Sequence, residues 1–165
     1  MSRPEAVRLR APLERVSPRA RLMWTCTDLL RCVPPMALLL LGDGPWDWFD
    51  LPTWSLVGVG VLFAAYGVLV PQWRYLVHRW EVTETAVYTQ TGWWARERRI
   101  APMSRVQTVD HREGAISRLF GLATVRVTTA SSAGALSIEG LDRDRALVIV
   151  DELTRMADSV PGDAT

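Results

Sequence analysis

Asp110 and His111 stand side by side in MSRVQTVDHREGAISRLFGLATVRVTT, residues 103–129, with Ser104 and Ser117 in the same stretch. A carboxylate, an imidazole and a hydroxyl are the parts of an acid–base or nucleophilic site, provided the carboxylate can orient the imidazole. The alternation of residue types predicts a strand over 105–112, and neighbours on a strand leave on opposite faces. Asp110 and His111 therefore cannot form a hydrogen-bonded dyad in ordinary strand geometry. None of Ser104, Ser117 and Ser131 has the flanking glycines of a nucleophile elbow. One reading makes the chain a membrane enzyme acting on lipid or peptide, with Asp110 and His111 as separate acid–base groups. The other, taken here as the primary one, assigns the stretch to framework, with no catalytic residue.

Metal and redox chemistry find no pattern either. His78 lies about thirty residues before His111, and Cys26 and Cys32 are six apart, which matches neither a redox pair nor a zinc knuckle. The cysteines read as small apolar fillers of a helix. No metal and no cofactor is expected.

A different chemistry lies in WWARERR, residues 93–99. Trp94, Arg96 and Arg98 alternate with Trp93, Ala95, Glu97 and Arg99, so neither face of a strand here is apolar. One reading is a solvated edge strand whose charges discourage pairing with other chains. The other is a membrane-facing rim of Trp93, Trp94, Arg96, Arg98 and Arg99, in which indoles sit at the interface and each arginine contributes about 1 kcal/mol near anionic headgroups. Arg105 and Gln107 are candidates for hydrogen bonding across the sheet or to loop carbonyls, or for a ligand or partner surface.

The elements that must position these residues begin with two apolar stretches. Residues 54–70, WSLVGVGVLFAAYGVLV, hold no charge and would span about 26 Å as a helix at ~1.5 Å per residue. Residues 22–41 are interrupted by Asp28 and Arg31, three apart on one helical face and able to pair, and by Pro34 and Pro35. Tryptophans flank both stretches.

The 165 residues carry a formal net charge of +1, which excludes a strongly basic nucleic-acid binder, and every basic residue among the 19 is Arg. No nucleic-acid partner is expected. The charge is unevenly spread. Residues 1–21 hold six arginines against Glu5 and Glu14, residues 42–53 hold Asp43, Asp47 and Asp50 with no base, and Arg74 and Arg79 follow the second stretch. The positive-inside rule then places both termini of a multi-pass membrane protein in the cytoplasm. The absence of Lys and Asn reads as a codon bias toward G and C, so the expected site is a bacterial plasma membrane. The expected organisation is a cytoplasmic Arg-rich segment (1–21), a first crossing (22–41), a short acidic external loop (42–53), a second crossing (54–70), a cytosolic domain (71–157) and a flexible tail (158–165).

In that domain short period-two runs predict strands at 75–83, 86–91, 93–100, 105–112, 123–129 and 135–139. A closing helix follows, capped by Asp142, with Ala146, Ile149, Val150, Leu153 and Met156 on one stripe. Gly121 is placed to take a left-handed conformation after the turn AISRLF.

Five pieces occur in order: Trp80-Glu81-Val82-Thr83, Gly92, Arg105-Val106-Gln107, Leu119-Phe120-Gly121-Leu122 and Thr129-Ala130. Over about residues 70–157 the chain resembles the bacterial pleckstrin-homology-like domain of the second type, found in small two-span bacterial membrane proteins. The resemblance implies a membrane α-helical hairpin plus a β-rich PH-like domain, two packed antiparallel sheets closed by a C-terminal α-helix. Seven strands are normal for that fold and six are legible here, so one must be short or split. The resemblance also implies an envelope-associated binding module. Two spans, a β module and the lack of a catalytic set add the expectation of a non-enzymatic binding or scaffold module, integral to the lipid bilayer, that forms a homo-oligomer or docks on another membrane protein, such as a larger one with related domains. Lipid-binding relatives cradle phosphates in the loop after the first strand. Taking that loop as Thr83-Glu84-Thr85, which has no base, no specific phosphoinositide is expected.

Overall fold

A computed structural model describes residues 11–46, 48, 50–92, 94–130 and 134–159. Two antiparallel helices dominate the first half: α1 (Arg19–Asp43), with Pro34 and Pro35 inside it, and α2 (Thr53–Val77). Leu30, Val33, Leu38 and Leu40 on α1, and Val57, Val61, Leu62 and Leu69 on α2, are exposed. A helix with this much exposed aliphatic surface is not the core helix of a soluble domain; it suits a hydrocarbon surround. Cys26 and Cys32 are free thiols, and Cys32 Sγ lies 3.9 Å from the Phe63 carbonyl between the helices.

The strands form two antiparallel sheets. One contains β1 (Glu14–Arg15), β2 (Arg79–Val82), β3 (Ala86–Thr91) and β4 (Glu97–Pro102), in that order. The other contains β5 (Val106–Arg112), β6 (Leu122–Thr129) and β7 (Leu136–Asp142), also in sequence order. A short helix α3 (Ala115–Leu119) joins β5 to β6, and α4 (Arg143–Ser159) closes the domain.

Three sequence expectations are corrected here. The seventh strand precedes the hairpin: β1 pairs Glu14 with Trp80 and Arg15 with Arg79. The connection from first to second strand is therefore the whole helical hairpin, and Thr83–Thr85 joins the second strand to the third as a tight turn closed by Thr83 N–H on the Ala86 carbonyl at 3.0 Å. Second, the strand expected from residue 75 starts at Arg79, because α2 continues through Val77 until His78, whose φ of −67° and ψ of 115° end it. Third, the strand expected over 93–100 is β4 at Glu97–Pro102, its first pair being Glu97 opposite Thr91. The remaining strands lie within a few residues of expectation. Gly121 has φ +65°, its N–H bonded to the Arg118 carbonyl at 3.1 Å.

The core lies between the sheets and α4. Leu122, Val125 and Val127 of β6 meet Ile138 and Leu141 of β7 and the buried stripe Ala146, Ile149 and Leu153, with Val150 and Met156 packed at its margin. Asp142 stands just before α4 and its Oδ1 accepts the Ser17 hydroxyl at 2.9 Å.

That core also takes in the start of the hairpin. Val16, Ala20, Met23 and Trp24 belong to it, each at most 9% exposed. Gly140 makes the approach possible: it has φ +75°, and a Cβ there would stand 2.8 Å from Ala20 Cβ. Ser17 N–H reaches the Gly140 carbonyl at 2.8 Å. Each large apolar side chain so buried contributes about 1.5–3 kcal/mol. Consequently α1 grows out of the domain rather than hanging beside it.

Candidate functional site

Asp110 and His111 lie on β5, opposite Arg126 and Val125 of β6 and on opposite faces. His111 Nε2 is 3.7 Å from Glu113, whose carboxylate also meets Arg143 at 2.7 Å and Arg118 at 3.9 Å. These contacts tie the ends of β5, α3 and α4 together, and Asp110 stands on the other side of the strand. Arg105 and Gln107 are both exposed. The Arg105 carbonyl accepts Ala130 N–H at 3.1 Å, and Gln107 sits at a register shift in the β5–β6 ladder.

The WWARERR residues are divided by the strand itself. In β4 the side chains of Glu97 and Arg99 go to one face and Arg98 to the other, and Arg96 joins Arg98. Trp94 is 88% exposed in the connection before β4, and Trp93 lies outside the described residues. The three arginines of the expected rim therefore do not share one face: Arg99 borders one cleft and Arg96 and Arg98 another, one on each side of β4, both at the junction of hairpin and domain.

The first cleft, of about 440 Å³, holds Asp28, Arg31, Arg74, His78, Glu97, Arg99 and Glu139, with Tyr66 and Val70 of α2 along one wall. Its charges are matched. Asp28 Oδ1 takes Arg31 at 3.1 Å, the pairing their spacing suggests; Glu139 takes Arg74 at 2.8 Å; Glu97 takes Arg99 at 2.7 Å. The Arg74 guanidinium also lies 4.4 Å from the centroid of Trp24, and Trp24 is 5.1 Å from the His78 ring. His78 Nδ1 donates to the Arg74 carbonyl at 3.0 Å, since a carbonyl can only accept. Burial first, and the Arg74 charge second, hold His78 below its ordinary pKa, against the opposing pull of that hydrogen bond and of Glu139. The imidazole is thus neutral near neutral pH. A chamber of internally paired charges around a neutral ring binds helix to sheet.

The second cleft, of about 510 Å³, is lined by Ala11, Trp73, Leu76, Val77, Arg79, Gln90, Arg96 and Arg98, with no carboxylate among the described residues. Cross-strand pairing sets Arg15, Arg79, Gln90 and Arg98 in one row across the four-stranded sheet. Gln90, 5% exposed, donates from Nε2 to the Val77 carbonyl at 3.0 Å and accepts from Arg98 Nε at 2.9 Å. The C-terminal end of α2 and the arginine row are therefore fastened through one amide.

From the sequence, Arg96, Arg98 and Arg99 stand as site candidates, whereas His78, Arg74, Arg79 and Trp73 enter only for metal chemistry, orientation and the membrane interface, and Gln90 and Glu139 are not singled out, so none of these six is a candidate. These come from four elements, and the available local signal was the Arg74–His78 spacing of four at the end of α2. Among the described residues no group of three or more His, Cys, Asp or Glu is placed to hold a metal ion.

A two-sheet domain closed by a helix and built onto an apolar hairpin also has relatives. The chain is 27% identical over 150 residues, 88% of its own length and 93% of the other's, to the UPF0699 transmembrane protein YdbS of Bacillus subtilis (strain 168). No solved structure matches it. The family model described as a bacterial PH domain matches residues 36–157, taking in the last third of α1, all of α2, strands β2 to β7 and most of α4, and the chain belongs to that family.

Proposed function

We propose that the protein is a non-enzymatic, membrane-tethered PH-like module that crosses the bilayer twice with both termini in the cytoplasm, and that its domain docks on another membrane protein or on a second copy. The observation that carries this reading is the shared core: Val16, Ala20, Met23 and Trp24 are buried together with Leu122, Val125 and Leu141. A domain so joined to its hairpin keeps one height and one tilt above the bilayer. A partner in the same membrane then meets a surface already oriented, which lowers the orientational part of the association cost. The separation of Asp110 from His111 on β5 supports binding over acid–base chemistry. The orientation is supported by the arginines on both sides of the hairpin and their absence between residues 42 and 53.

Two experiments test it. Native mass measurement of the full chain, extracted gently in lipid nanodiscs, should show a homo-oligomer or a stoichiometric membrane-protein companion; a lone monomer throughout overturns the docking reading. With Cys26 and Cys32 replaced by Ser, a membrane-impermeant maleimide should label Asp50→Cys in intact cells and leave Glu84→Cys unlabelled. The reverse pattern overturns the orientation.

A further inference from the structure

The second cleft carries an inference beyond partner docking, and it stands whether or not a partner is found. We propose that the cleft formed by Arg79 and Arg98 on the sheet, Arg96 just before β4, and Trp73 and Leu76 on α2 binds the headgroup of an anionic phospholipid.

The first ground is charge. Arg15 is the direct cross-strand partner of Arg79, and Arg79 and Arg98 flank Gln90 in the same row. Like charges set opposite one another in a sheet repel. Among the described residues none of Arg15, Arg79, Arg96 and Arg98 is in an ion pair, whereas Arg31, Arg74 and Arg99 across β4 each have a carboxylate. Glu81, on the same face two residues along β2, does not line the cleft. The arrangement is complementary to an anion with several acceptor oxygens, and guanidinium groups match phosphate geometry.

The second ground is preorganisation. Buried Gln90 holds Arg98 Nε at 2.9 Å while bonded to the end of α2, so that arginine is aimed without help from the ligand. The third is the opposite wall. Trp73 and Leu76 are each 53% exposed in the last turns of the helix whose apolar run covers 54–70. An indole and a leucine there adjoin the acyl and glycerol region, with the guanidiniums placed at phosphate depth. A soluble anion would have no use for that wall. Arg99 takes no part, since alternation sends it into the paired chamber with Glu97.

The test uses the full chain in detergent, titrated with phosphatidylglycerol or phosphatidylcholine and read by native mass spectrometry, with inorganic phosphate as competitor. Phosphatidylglycerol should be retained at least tenfold more strongly than phosphatidylcholine. The triple change Arg79→Gln, Arg96→Gln and Arg98→Gln should remove that preference, while Arg112→Gln with Arg155→Gln, elsewhere on the domain, should keep it. Trp73→Ala should weaken lipid retention severalfold with the charges intact. Arg96→Gln alone, in a connection rather than a strand, should lower retention at least twofold and serves if the triple variant does not fold. Equal retention of the two lipids, an unaffected triple or single variant, or an equal loss in the Arg112/Arg155 control overturns the proposal. Displacement of the lipid by millimolar inorganic phosphate overturns it in favour of a soluble anion.

Discussion

The two sides of β4 differ in how their charges are balanced. On one side Asp28, Glu97 and Glu139 neutralise Arg31, Arg99 and Arg74 inside the chain; on the other Arg79, Arg96 and Arg98 gather in a cleft with no carboxylate among the described residues that line it. Both clefts touch α2 and both contain Trp or Tyr, so position and apolar character do not separate them. Pairing does. A side chain whose charge is matched within the fold contributes to holding that fold, whereas an unmatched group held near its like adds repulsion until a ligand arrives. The paired side should therefore govern stability, and the unpaired side should be nearly silent in stability measurements.

The largest break in this comparison should come from Gly140, behind the paired side. A valine there meets Ala20 Cβ and must adopt a left-handed backbone, adding overpacking of about 1–3 kcal/mol to a conformational cost of about 1–2 kcal/mol. Gly140→Val should lower unfolding free energy by about 3 kcal/mol and make the Ser17–Gly140 region cleavable by added protease. Urea unfolding in detergent with limited proteolysis checks both. An unchanged variant would mean that α1 is not anchored in the core.

A direct contrast follows. Arg74→Ala loses the bond to Glu139 and the contact with Trp24; with Glu139 partly exposed, the expected loss is about 1–2 kcal/mol. Arg79→Gln and Arg96→Gln, across the strand, should stay within about 0.5 kcal/mol, with the sign leaning toward stabilisation. Equal losses on the two sides would remove the distinction.

Acid should sharpen it next. His78 in the fold holds its proton less tightly than in the unfolded chain, where its value is near 6.5. Between the lowered value and 6.5 the unfolded state binds more protons, so unfolding free energy falls as pH falls, by at most about 1.4 kcal/mol per pH unit, and is flat with respect to this group above that window. Asp28, Glu97 and Glu139 face the ring's chamber together with Arg31, Arg74 and Arg99. His78→Asn, which keeps a donor for the Arg74 carbonyl, should flatten the profile just below pH 6.5. An undiminished slope would assign the proton elsewhere.

Legibility in the sequence followed local repetition. The α4 stripe from Ala146 to Met156 and the alternation of β6 need no knowledge of distant partners, and both stand where periodicity puts them. The pairing of Asp28 with Arg31 is likewise a matter of helical spacing. By contrast β1 is two exposed charged residues whose strand character comes only from β2, and no period exists in a pair. Tyr75–Val77 alternates like a strand yet completes α2, because Tyr75 and Val77 find apolar neighbours there. The clefts were half visible. Arg96, Arg98 and Arg99 stand out in WWARERR, but which of them share a face with Arg79 and Gln90 depends on a register that begins at Glu97.

The smallest expected effect concerns the pair that looks most like chemistry. Asp110 faces Arg126 across the ladder, and His111 sits on the other side of β5 with Glu113 at 3.7 Å. Glu113 keeps Arg143 at 2.7 Å when the imidazole is removed, so the contacts that join α3 and α4 to β5 persist. Both side chains are half-buried, neither belongs to the core, and each alanine trims a side chain from a strand that keeps its backbone ladder. Asp110→Ala with His111→Ala should therefore lower unfolding free energy by less than about 1 kcal/mol and leave oligomer mass and phosphatidylglycerol retention unchanged. An acid–base role predicts the opposite separation, with stability intact and cellular activity abolished. Complementation of a deletion strain by the double variant, set beside its unfolding curve, separates the two, and failure to complement with a normal curve would return Asp110 and His111 to the centre of the molecule's chemistry.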